Sequence, residues 1–322
     1  MNGLDRREAA RRRTRRERRI AAAAAGVTLV LVAGTVMVLR GGGTELAADG
    51  AGAAASQPPP PPTLPGGGRV LFPDHRIVAY YGAPQDPKLG ELGIGTPAEA
   101  TAKLLDQADE YDVTSRRVMP ALELIATIVT ADPGDDGRYR LRQSAEVIDR
   151  YLAAARRAEA LLILDIQPGR ARFMDEVRAF EPWLGEPDVG LALDPEWSMR
   201  PGEVPGTVIG STESVVVNRV SNYLADLVRE HNLPEKLLIV HQFTHEMIRH
   251  RELLQTEDGV ALVLNVDGFG DRPNKVSKYH LFADRGQPWH HGFKLFYHED
   301  VNLMTPRAVL GLRPRPDVII YE

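Results

Sequence analysis

Val189–Met199 reads VGLALDPEWSM: an apolar run leads straight into Asp194, Pro195, Glu196 and Trp197. A short, continuously apolar run of this kind is the signature of a parallel strand covered on both faces. The pattern recurs along the chain. IVAYYG (77–82), ALELIATIV (121–129) and ALLILDI (160–166) precede it; LLIVHQF (237–243), ALVLNVD (261–267), FKLFYH (293–298) and VIIY (318–321) follow. Helical periodicity fills the gaps, most clearly over 97–111, 141–158, 171–184 and 215–230, and more weakly over 246–254, 274–282 and 305–312. Thr96-Pro97 is a start signal, a capping hydroxyl followed by proline at the first helical position.

Eight strands alternating with helices predict an α/β fold, a (β/α)8 TIM-type barrel over residues 69–322. The chain's last residue, Glu322, directly follows the eighth strand, so the expected barrel lacks a final helix, with residues 69–75 as a candidate cover. A doubly wound sheet is the rival, but Tyr81-Gly82-Ala83-Pro84 is no glycine-rich phosphate turn.

Residues 1–19 carry nine Arg and three acids, within a net charge of −5. Ile20–Leu39 is twenty residues without a charge, long enough to span a hydrocarbon core. Basic residues on its N-terminal flank place residues 1–19 in the cytoplasm and the barrel outside, as a single-pass signal anchor in the cytoplasmic membrane. Residues 40–68 are rich in Ala, Gly and Pro and predict a disordered spacer. The acidic remainder argues against nucleic acid as a partner. With no cysteine, thiolate metal sites, disulfides and a cysteine nucleophile are excluded. No motif requires a cofactor or a resident metal.

In such barrels, catalytic groups come from the C-terminal ends of strands. Those ends here carry Tyr81, Asp165 with Gln167, Asp194 with Glu196 and Trp197, His241 with Gln242, Asn265 with Asp267, and Tyr297, His298 and Asp300. Residues two apart in an extended segment face the same way, so Asp194 and Glu196, Asp165 and Gln167, and Asn265 and Asp267 are each expected to share a face. Acids from several strands converging on one bowl cannot all ionise easily, and one should act as a general acid at neutral pH. Cleavage of a glycosidic bond needs one protonated carboxyl and a second carboxylate. Glu196, Asp194 and Asp267 are the catalytic candidates, and the others bind substrate, with Tyr81, Trp197, Trp289 and Tyr297 offering faces for sugar rings.

Gly190-Leu191-Ala192-Leu193-Asp194-Pro195-Glu196 resembles the fourth-strand signature of the chitinase-like glycosidases. The resemblance implies that Glu196 protonates the glycosidic oxygen and Asp194 positions the substrate's acetamido group. Ala192 stands where that family has a further Asp. A two-carboxylate mechanism, with Asp267, Glu299 or Asp300 as partner, therefore stays open beside a substrate-assisted one. The expectation is a membrane-anchored, extracytoplasmic glycosidase-like hydrolase acting on an envelope or extracellular polysaccharide. The alternatives are a non-catalytic barrel that binds glycan or an envelope partner, and a metal-dependent hydrolase using His241, His245, Asp194 and Asp267.

His245 and His250 do not form a zinc-protease helix, because the second His is five residues on rather than four. His290-His291 reads as a solvated loop. Glu123, a charge inside an apolar strand, needs a partner: it is either a core ion pair or the floor of the site.

Overall fold

The computed structural model describes residues 60–113, 115–283 and 286–322. The segment 1–19, the span 20–39 and most of the spacer lie outside the described residues. Among the described residues no helix is long and apolar enough to cross a membrane.

Eight parallel strands close on themselves: β1 His75–Gly82, β2 Arg117–Val129, β3 Leu161–Ile166, β4 Val189–Leu193, β5 Lys236–Gln242, β6 Val260–Val266, β7 His290–Leu295 and β8 Val318–Tyr321. Closure is made by β1, which pairs with β2 on one side and β8 on the other, with Ile77 opposite both Met119 and Val318. The principal helices are α1 Pro97–Asp109, α2 Ala145–Arg157, α3 Phe173–Ala179, α4 Ser214–Glu230, α5 Arg272–Phe282 and α6 Pro306–Leu310. Thr96 caps α1 in a full capping box with Glu99, as its sequence foretells.

Alternation along the strands sorts side chains into two cores. Ile77, Ala79, Met119, Ala121, Ile163, Ala192, Ile239, Val263 and Ile320 fill the barrel interior. The intervening Val78, Leu122, Leu164, Leu191, Val240 and Ile319 pack outward, in the cluster that also holds the buried residues of the helices. Residues 60–75 do not cover the barrel's side. Leu64, Leu71 and Phe72 belong to the interior cluster, and Arg69 bonds Asn232 and Leu233 next to the start of β5, so the segment plugs the N-terminal end.

Four tyrosines cluster on the outer side of the barrel at the end of β8. Tyr111 and Tyr321 share a hydrogen bond of 2.7 Å, Tyr80 and Tyr297 one of 3.1 Å, and Tyr297 stacks on Tyr321.

Several expected boundaries shift. His290 and His291 are not in a solvated loop: they start β7, where His291 is buried and His290 lies 3.1 Å from Asp317. The expected strand 293–298 therefore ends early, at Leu295. Residues 246–254 form short 3-10 turns around a two-residue strand instead of a helix. The helix expected over 171–184 is split into Phe173–Ala179 and Glu181–Leu184, with Pro182 in the first turn of the second piece, where its missing N–H is harmless. Leu141 and Arg142, expected to begin a helix, instead join Arg140 in a short strand antiparallel to the end of β2.

Candidate functional site

The inward positions turn polar towards the C-terminal ends of the strands, and the side chains there meet. His241, on β5, lies at the centre. Its Nδ1 is 3.0 Å from Asp267 Oδ2, and its Nε2 is 2.9 Å from Glu123 Oε1 and 3.9 Å from Asp165 Oδ1. Tyr81 OH donates to Asp165 Oδ2 at 3.2 Å and accepts from Gln167 Nε2 at 3.0 Å. Asn265 donates from Nδ2 to Asp267 Oδ1. Lys294, on β7, sits 3.0 Å from Glu322 Oε2 and 3.7 Å from Asp267 Oδ2.

Residual exposure divides the bowl into two levels. Gln167, Asp194, Glu196 and Asp267 retain 6, 6, 7 and 8% exposure, whereas Glu123, Asp165 and Asn265 retain none and His241 1%. The first four form a rim, and the others a floor beneath it.

The electrostatics follow from burying more acids than bases. Burial pushes Asp165 up to about 7; Glu123 adds to the shift and His241 opposes it. Burial and the nearby Asp165 raise Asp194 well above the usual carboxylate range, with Glu196 and Asp267 contributing. Burial alone would raise Asp267 too, but His241 and Lys294 outweigh it, and its carboxyl stays below the ordinary value. For His241 burial disfavours the imidazolium, yet Asp267 and Glu123 more than compensate. The bowl thus biases one strand-end carboxyl, Asp194, toward the protonated form and another, Asp267, toward the ionised form.

The expected pairings hold at two of three strands. Asp165 and Gln167 both reach Tyr81 OH, and Asn265 bonds Asp267. They fail at β4, where extended backbone ends at Asp194. Its Oδ1 accepts the Glu196 amide at 3.2 Å and caps a 3-10 turn over Pro195–Trp197. Glu196 is therefore on a turn, not on the strand's inner face. The turn is wrapped closely: Gly210 N donates to Glu196 O, and a side chain at Gly210 would overlap the carbonyls of Pro195, Glu196 and Ser198.

Other candidates lie elsewhere. Gln242 alternates away from His241 and donates to Thr244 O. Tyr297 belongs to the outer tyrosine cluster, where its hydroxyl also donates to Gln107. Asp300 pairs with Lys275 at 2.9 Å and accepts the amides of Gly270 and Phe296, holding loops together. His298 is exposed on the loop after β7, and Trp197 is buried within the β4 turn. Glu123 is both things at once, a partnered core charge and the floor of the site. Two residues of the bowl were not singled out from sequence, Lys294 and Glu322. Lys294 carried the same signal as Glu123, a charge inside an apolar strand.

A surface cavity of about 590 Å³ lies away from the bowl, between α5 and α6, lined by Arg272, His280, Arg307 and Arg313 among others. No bowl residue lines it.

No protein-family model matches the chain, and no curated protein or solved structure matches it significantly.

Proposed function

We propose that the rim is the active site of a hydrolase that cleaves a glycan by carboxylate acid–base chemistry. The observation that carries this reading is that two carboxyls at the C-terminal end of one barrel are biased in opposite directions, Asp194 upward by burial and the nearby Asp165, and Asp267 downward by His241 and Lys294. Environments that push two carboxyls apart in acidity define the acid and the base. Asp194 Oδ1 is engaged by the Glu196 amide, so the proton belongs on Oδ2, which delivers it to the departing glycosidic oxygen. Asp267 attacks the anomeric carbon or activates water, while His241, Asn265 and Lys294 keep it anionic. Glu196, beside Asp194 on the turn, helps keep the pKa of that carboxyl raised and shares its contact with the leaving group. Phe269, 54% exposed between Gly268 and Gly270 on the loop after β6, supplies a flat face for a neighbouring sugar.

The substrate class follows from the expected location: a barrel held outside the cytoplasmic membrane by residues 20–39 meets envelope or extracellular polysaccharide. The test is turnover of envelope polysaccharide by the purified full chain and its variants. Asp194→Asn and Asp267→Asn should each lower kcat by about 10²–10⁴-fold with an unchanged circular-dichroism spectrum, as expected for loss of a general acid or base. Full turnover by Asp194→Asn would refute the assignment. Tight glycan binding with no cleavage, indifferent to both substitutions, would instead identify a binding module.

A further inference from the structure

Beneath the rim, the floor has an excess of acceptors. Glu123 Oε2, Asp165 Oδ1 and Asn265 Oδ1 are all buried and have no hydrogen-bond partner. Unsatisfied buried oxygens are expensive, and a native site that keeps several together calls for an explanation such as an ion. One donor atom each from Glu123, Asp165 and His241 lies within 4.8 Å of the other two, the spacing of ligands around a single cation.

The surroundings are arranged as an outer shell. A metal-binding histidine typically presents one ring nitrogen to the metal and donates from the other to a carboxylate, which fixes the ring. His241 has this disposition: Nε2 faces Glu123 and Asp165, and Nδ1 faces Asp267. Asp267 is in turn held by Asn265 Nδ2, and Asp165 Oδ2 by Tyr81 OH, itself positioned by Gln167. His241 and Asp165 are thus each oriented by a neighbour that uses a different atom from the one facing the other inner residues, while Glu123 makes its hydrogen bond from Oε1 to His241 Nε2.

We propose that Glu123, Asp165 and His241 form a buried binding site for a divalent cation, below the catalytic rim. One imidazole nitrogen with two carboxylate oxygens suits Zn2+ or Mn2+ better than Ca2+ or Mg2+, which favour all-oxygen shells. Binding at Nε2 requires that nitrogen's lone pair, so any proton there leaves to solvent as the cation enters, while Nδ1–H remains on Asp267. The cation would tie three strands, β2, β3 and β5, together at the floor.

The test reads binding and not turnover, so its failure leaves the hydrolase reading standing, and the reverse also holds. The full chain is purified, stripped with chelator and titrated calorimetrically with Zn2+ alone and with Mn2+ alone. One equivalent of at least one cation should bind and raise the melting temperature. Glu123→Gln and Asp165→Asn should abolish the binding, and Asp267→Asn should weaken it roughly 10–100-fold, as for other outer-shell carboxylates. No stoichiometric binding of either cation, or binding undiminished in Glu123→Gln and Asp165→Asn, overturns the proposal. Should these variants not fold, Co2+-loaded wild type decides. A paramagnetically shifted, exchangeable imidazole N–H resonance supports the site, and its absence from a Co2+-bound sample overturns it.

Discussion

The Lys294 ammonium lies 3.5 Å from the centre of the Tyr81 ring, inside the barrel, with Glu322 Oε2 at 3.0 Å. A buried cation thus rests on an aromatic face that shields it from water while two carboxylates balance it. Removing one partner of a buried pair strands the other and costs about 3–5 kcal/mol. Lys294→Met should therefore lose that much stability in urea unfolding. Adding Glu322→Gln to Lys294→Met should recover part of the loss. Additive losses in that double-mutant cycle would mean that the two side chains do not interact.

If Asp194 is the proton donor, its importance depends on the leaving group. With an aryl glycoside whose leaving group needs no protonation, Asp194→Asn should be slowed far less than with a natural glycan, where about 10²–10⁴-fold is expected. Asp267→Asn should be slowed on both. Equal losses of Asp194→Asn on the two substrates would reassign the acid, with Glu196 the next residue to test.

Lys236 gives a pH signature separate from the site. Its amine is 1% exposed at the start of β5 and donates to the carbonyls of Val189 and Glu186. Burial lowers its pKa from 10.5 to about 7, against the pull of Asp188 and Glu186. Between about pH 7 and 10.5 the unfolded chain holds a proton that the native chain has released, so stability from this group rises with pH across that window. The slope is at most about 1.4 kcal/mol per pH unit, and it vanishes below about 7, where both states are protonated. Lys236→Met should lack this rise when unfolding is followed from pH 7 to 10. Parallel curves for the two proteins would contradict it.

Gly292, on β7, leaves room for the Asn265 amide. A Cβ there would overlap Asn265 Oδ1 deep inside the barrel. Gly292→Ala should displace Asn265 from Asp267 and cost about 1–3 kcal/mol, the usual range for overpacking a core. Denaturant unfolding would measure the cost, and an unchanged midpoint would show that the floor yields freely.

Much of the architecture was legible from local pattern. An apolar run bounded by turn residues identifies a strand without knowledge of its neighbours, and eight such runs between amphipathic stretches leave few folds. The polar ends of β3, β5 and β6 were legible for the same reason: Asp165, Gln167, His241, Asn265 and Asp267 obey strand alternation up to or just past the last paired residue. Alternation failed where the backbone left the strand. Pro195 and the Asp194 cap turn the chain at once, so residue spacing no longer reports direction for Glu196. Alternation puts Gln242, next to His241, on the opposite face, and it does not reach Tyr297, which lies past Leu295 where β7 has ended.

What the sequence alone determined is the alternation of strand and helix, the end of each strand at which polar groups gather, and the presence of a charge, Glu123, that an apolar strand cannot leave unpartnered. Tertiary structure decided the partners. Glu123 meets His241 across 118 residues of sequence, and Lys294 meets the Tyr81 ring, because the closed barrel brings inward positions of distant strands to one level. Alternation is a property of each strand's own backbone, whereas the choice of facing residues is set by strand order, register and closure, which no single stretch of chain contains.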